Sequence, residues 1–147
     1  MEKIYFALGK KYRKFLKPEM IWNIEKGMSQ STGDLAQAWV AQGALYQRLM
    51  EWFDHYDLLV LPTAITPPFD VNRRYLDQLD DHVFNNYIDW VYLSYIATLT
   101  SSPAISIPCG FTANGLPVGI QLIGKPKAEA ELLSYAAKFE EILNMGK

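Results

Sequence analysis

With 147 residues, 50% of them hydrophobic and 20% charged, the chain has the size and balance of one folded domain and no bias toward disorder. A net charge of −2, from 14 Lys and Arg against 16 Asp and Glu, gives no electrostatic ground for expecting nucleic acid as a partner. A single cysteine excludes an intrachain disulfide, and no apolar run approaches the ~20 residues that span a bilayer.

Met1 is not followed by a basic segment and an apolar signal core, so a cytoplasmic protein is expected. Residues 1–30 predict two short helices, Glu2 to Lys14 and Glu19 to Gly27, the second opened by Pro18. The cluster Lys10, Lys11, Arg13, Lys14 and Lys17 is broken by Tyr12, Phe15 and Leu16 and reads as the solvated face of a helix. Ser31 followed by Asp34 forms a capping box. Leu35, Ala38, Leu45, Leu49, Trp52 and Tyr56 then recur at helical spacing, which predicts a long helix with one face buried.

The run Leu58 to Leu61 is continuously apolar and closed by Pro62, as in a strand covered on both faces within a parallel sheet. Pro62 to Asn86 shows no periodicity and reads as a long loop, and such loops are usually functional or disordered. Tyr87 to Leu99 is apolar nearly all round and predicts a buried helix. Pro103 to Pro108 reads as a strand with Ile105 and Ile107 on one face. Asn114-Gly115 predicts a hairpin, with Val118, Ile120 and Leu122 alternating after it. Lys127 to Asn144 carries Leu132, Ala136, Phe139 and Leu143 on one stripe, as a helix packed on a sheet would.

In open α/β sheets ligands bind beyond the carboxyl ends of strands, which makes the segment leaving Pro62 the best pocket candidate. Thr63, Ile65 and Thr66 come first off that strand; the competing reading is that Pro62, Pro67 and Pro68 merely stiffen a surface crossing. Cys109, between Pro108 and Gly110, reads as packing, and nothing in sequence links it to His55 or His82. Ser101-Ser102 precedes Pro103 and reads as helix-end turn chemistry. Asp80-Asp81-His82 lacks the further spaced ligands of a metal site, and no metal or cofactor is expected.

Three strings change what can be said. They are Asp57-Leu-Leu-Val-Leu-Pro-Thr63, Pro103-Ala-Ile-Ser-Ile-Pro-Cys-Gly110 and Gly115-Leu-Pro-Val-Gly-Ile-Gln-Leu-Ile-Gly124, followed by Glu129, Glu131, Leu132 and Leu133. In this order they resemble the C-terminal third of the amidase-signature family, over about Ser31 to Leu143. The resemblance implies an α/β fold, the C-terminal part of the family's α/β/α architecture, with a mixed sheet and flanking helices. Residues 1–147 would form a single partial domain, with 1–30 a helical lead-in and 31–147 the motif-bearing region.

The family cleaves carbon-nitrogen bonds of amides with two serines and a lysine from its N-terminal and central parts. No Gly-Gly-Ser-Ser-Gly-Gly segment occurs here, so the resemblance carries over no catalytic residue. It does carry over pocket wall: Thr63 to Pro68, with Thr63 and Ile65 foremost, and Trp90 as a neighbour. The implied partners are a missing N-terminal catalytic part or a homo-oligomer, with a small-molecule amide in the complete enzyme and neither nucleic acid nor membrane. The alternatives are a non-catalytic remnant serving as a binding or self-association module, or part of an amidotransferase A-type subunit. Ser101 stands where the family usually has glycine, so the turn there is expected to differ.

Overall fold

The computed structural model describes residues 13–143. Most of the expected helix Glu2 to Lys14 lies outside these residues, and of its end a single 3-10 turn, Arg13–Phe15, is described. The chain divides into two compact units, Met1–Val40 and Ala41–Lys147. The division falls within a long helix.

In the first unit Pro18 opens helix α1 (Pro18–Met28) at a position where its missing N–H would be unpaired anyway. The helix stops at Ser29, whose N–H donates to the Glu25 carbonyl at 3.1 Å. Helix α2 (Thr32–Phe53) follows. Its capping box forms as the sequence predicts: the Asp34 N–H donates to Ser31 Oγ at 3.1 Å, and the Ser31 N–H donates to Asp34 Oδ2 at 2.8 Å. The expected buried stripe is only partly realised. Leu49 is buried and Leu45 and Trp52 half-buried, but Leu35 and Tyr56 are 48% and 57% exposed. Periodicity marks which side of a helix is apolar; it does not say what covers that side.

The second unit is built on strands β1 (Leu59–Pro62), β2 (Gln78–Leu79), β3 (His82–Val83), β4 (Ala104–Phe111) and β5 (Pro117–Ile123) and closed by helices α3 (Tyr95–Thr100) and α4 (Glu129–Leu143). The main sheet has the order β1-β5-β4, and both pairings are antiparallel. The parallel, doubly covered strand expected at Leu58 to Leu61 is therefore corrected: β1 runs antiparallel to β5, pairing Leu59 with Ile123 and Pro62 with Ile120, and leaves Val60 42% exposed. An unbroken apolar run says that a strand is apolar on both faces and nothing about its direction.

Helix α4 covers one face of this sheet. Ile107 of β4 and Leu122 of β5 are fully buried against Leu132 and Ala136, with Ile105, Ile120, Phe139 and Leu143 packed around them. The alternation expected along β4 and β5 and the stripe expected on the last helix thus meet in one core. Strand β4 continues past Pro108, where the sequence reading ended it. Proline lacks a ladder donor, but β4 is an edge strand, and a bulge between Pro108 and Gly110 absorbs the misfit. The β4–β5 hairpin forms around Asn114-Gly115. The Gly115 N–H donates to the Thr112 carbonyl at 2.9 Å, and of the two only Gly115 has positive φ, at 77°. This is a turn followed by one left-handed glycine, a looser connection than a two-residue turn.

Two expectations for residues 62–99 are corrected. The loop contains a small hairpin, β2–β3, beside which Leu76 and Phe84 are buried. The expected helix Tyr87 to Leu99 is a 3-10 segment, Asp89–Ser94, kinked at Val91 and followed by the short helix α3. Most of it is half-buried rather than enclosed, with Tyr92 and Leu99 exposed.

Helix α3 ends in a Schellman turn. The Ser102 N–H donates to the Ala97 carbonyl at 3.0 Å and the Ser101 N–H to the Thr98 carbonyl at 3.4 Å, with Ser101 left-handed at φ 52°, ψ 32°. This conformation suits glycine, which is what the family resemblance led one to expect at this position. Among the described residues no helix is long and apolar enough to cross a membrane.

Candidate functional site

Beyond the end of β1 lies an open cavity of about 730 Å³, within the usual range for small-molecule sites. Its walls are Pro62 to Phe69 leaving β1, Ser106 to Cys109 of β4, Pro117 to Ile120 of β5, and Trp90. Thr63, Ile65 and Trp90, the three residues singled out from sequence, all line it.

Local structure explains how each is placed. The Thr63 N–H donates to the Gly119 carbonyl at 3.0 Å, so the chain leaves β1 still tied to β5. Thr63 Oγ1 then lies 2.7 Å from Ser106 Oγ across the sheet. Between them sits Gly119, and its lack of a side chain is needed: a Cβ there would come within 3.0 Å of Thr63 Oγ1, 3.2 Å of Ser106 Oγ and 3.1 Å of the Ile107 carbonyl oxygen.

Further along, Asp70 turns the segment away from the cavity by accepting the Asn72 N–H at 2.8 Å and the Asn72 side-chain amide at 2.9 Å. These bonds, the backbone one foremost, hold the Asp70 carboxyl below its usual range. The turn leaves Phe69 facing Trp90 edge to face, with ring centroids 5.5 Å apart and planes at 75°.

The segment that carries Trp90 is tied down on either side of it. Gln121 of β5 is buried, and its side-chain amide donates to the Leu93 carbonyl at 3.1 Å, which fastens the 3-10 segment to the sheet. The Tyr95 hydroxyl donates to the Ile88 carbonyl and closes the segment's other side. Burial, reinforced by Asp89 and Tyr87, pushes that hydroxyl's pKa up, so it remains a donor at all ordinary pH.

Sequence reasoning missed Phe69, Ser106 and Gly119 as members of this wall. Ser106 had a signal: it alternates with Ile105 and Ile107 and so faces away from the core. Cys109, read as packing, is half-buried and lines the cavity as the extra residue of the bulge. Neither His55 nor His82 lines the cavity, and the His82 ring instead packs against Phe84 at 4.9 Å. Ser101 and Ser102 form the turn after α3, where Ser102 Oγ is buried 2.9 Å from Thr100 Oγ1. Asp80 carries the positive φ of the β2–β3 turn, and among the described residues no three His, Cys, Asp or Glu side chains converge as a metal site requires.

The three sequence strings fall on β1, β4 and β5 of one antiparallel sheet, and the segment that follows Pro62-Thr63 borders the cavity. A family model described as Amidase matches residues 2–133. The chain belongs to the amidase family.

Among relatives, one of the subunits of glutamyl-tRNA(Gln) amidotransferase from Thermodesulfovibrio yellowstonii is 41% identical over 93 residues. The match covers 60% of this chain and 17% of that protein's length. Two solved structures share the fold. A crystal structure of an amidase superposes with a TM-score of 0.81 at 19% identity, covering 95% of this chain and 32% of the other. A bacterial aryl acylamidase of the amidase-signature family gives a TM-score of 0.77 at 20% identity, covering 99% of this chain and 33% of that one. The present chain thus corresponds to a minor part of the amidases it matches.

Proposed function

We propose that residues 1–147 act as one partial domain that builds the substrate wall of an amide-cleaving site and contributes no catalytic residue. The carrying observation is that Thr63, Ile65 and Trp90 line one cavity in a chain of the amidase family. Hydrolysis of an amide through a covalent intermediate needs an activated nucleophile and oxyanion donors. Ser106 and Cys109, which line this cavity, have no base beside them among the described lining residues. The catalytic groups then come from the rest of an amidase, and apolar side chains left exposed here, such as Trp39, Val40 and Val60, support cover by that part. Cover by a second copy is the alternative, separated by light scattering on the chain mixed with the remainder of a family enzyme. A cytoplasmic setting belongs to the same proposal and is supported by the lone free cysteine.

The test is Ile65→Trp in a complete amidase carrying this chain as its C-terminal part. Ratios of kcat/KM between small and bulky amides should shift by about tenfold or more with Tm nearly unchanged. Equal losses of Tm and of activity on every amide would make Ile65 a packing residue. The 41% identity to an amidotransferase component favours a second reading, part of an amide-transferring enzyme. Amide transfer to glutamyl-tRNA by the same rebuilt protein, without free amide hydrolysis, would select it.

A further inference from the structure

Granting that this cavity is an amide pocket, its lining says which amides enter. Among the described residues that line it, none is Asp, Glu, Lys, Arg or His. A ligand carboxylate or ammonium seated against this wall would lose part of its hydration and meet no opposite charge there, so the wall disfavours charged groups. The polar side chains are instead hydroxyls. Thr63 Oγ1 and Ser106 Oγ are 2.7 Å apart, so one donates its proton to the other. The pair keeps one O–H free to donate and lone pairs free to accept, which is the complement of a carboxamide, with its carbonyl acceptor and N–H donor. Gly119 leaves the space in which the two oxygens meet. The edge-to-face Phe69–Trp90 pair adds flat π surface to the same cavity, which favours a ring over an alkyl chain of equal size.

We infer that this wall selects uncharged, aryl-bearing amides, with the Thr63–Ser106 hydroxyl pair as the polar anchor and the Phe69–Trp90 pair as the aryl site. Both pairs are then specificity-determining elements of the amide pocket.

The chain itself, labelled with 15N, is titrated with benzamide, benzoate, benzylammonium and cyclohexanecarboxamide, and binding is followed by chemical-shift changes. Benzamide should shift the Thr63, Ser106 and Gly119 amides and the Trp90 indole N–H, and bind about tenfold or more tightly than either charged probe. Ser106→Ala and Thr63→Val should each weaken benzamide several-fold with the Leu122 and Leu132 amides unmoved, and Trp90→Leu should erase the preference over cyclohexanecarboxamide. Charged probes bound at the same residues as tightly as benzamide, or variants that leave its affinity intact, would overturn the selectivity while keeping the pocket. No shift at any cavity residue with any probe would overturn the pocket reading as well.

Discussion

Helix α1 and the first half of α2 are fully formed but hold no fully buried residue, with Ile21 and Trp22 half-buried, whereas the strands and α4 enclose Ile107, Leu122, Leu132 and Ala136 at 0–4% exposure. The first region owes its helices to local signals: Pro18 at the first turn and the Ser31–Asp34 capping box. The second region owes its strands to long-range pairing, β1 with β5 across about sixty residues of sequence. Local signals suffice to draw a helix, but most helical stability in proteins comes from covering an apolar face. Phe15, Trp39 and Val40 remain more than 70% exposed. The difference between the regions separates what this chain closes by itself from what we propose an amidase partner segment covers.

The largest expected effect lies in the closed region. Leu132→Ala removes a buried side chain at the centre of the core and should cost about 2 to 5 kcal/mol in a denaturant titration. Trp39→Gln, a side-chain change of at least equal size on an exposed helix face, should stay within about 0.5 kcal/mol. Similar losses at both positions would erase the contrast.

These two regions also differ in how legible they were. Where side chains alternate around a core, as at Ile105, Ile107, Ile120 and Leu122, sequence predicted both strands and their inward faces, because a sheet face packed on a helix imposes a period of two. Between Tyr87 and Leu99 it failed. A nearly all-apolar stretch has no phase to read, and the 3-10 segment there is tied to the sheet by a long-range bond, Gln121 to Leu93, that no local pattern encodes. The site was half legible for a similar reason. Thr63 and Ile65 follow a recognisable strand end, while Phe69 and Gly119 join the cavity only through the turn at Asp70 and the register of β5.

A smaller effect is expected at the junction of α3 and β4. Ser101 sits at φ 52°, a conformation that costs an L side chain roughly 1 to 2 kcal/mol and glycine almost nothing. Allowing for glycine's greater freedom when unfolded, Ser101→Gly should raise stability by about 1 kcal/mol by denaturant midpoint. A loss of stability would mean that the hydroxyl, and not the backbone, matters at this turn.

The smallest effect belongs to the open region. The bond from the Ser31 N–H, then the Ser31 hydroxyl, holds the Asp34 carboxyl below its ordinary value of 3.8. A lowered folded-state pKa means that the ionised cap stabilises α2 above the ordinary carboxylate range and that this support fades as pH falls through the lowered value. The Ser31 and Asp34 amide shifts should therefore move at acid pH, and Asp34→Asn should abolish that movement. Unchanged titration in the variant would assign the acid response to another group.

The central claim is that this chain supplies wall and no chemistry, and turnover tests it most directly. The purified chain is incubated with aliphatic and aromatic amides beside Ser106→Ala and Cys109→Ala, the two nucleophile-type side chains other than threonine that line the cavity. No release of amine above the uncatalysed rate is expected from any of the three. Hydrolysis by the unaltered chain that either substitution abolishes would place a nucleophile in this wall and contradict the account.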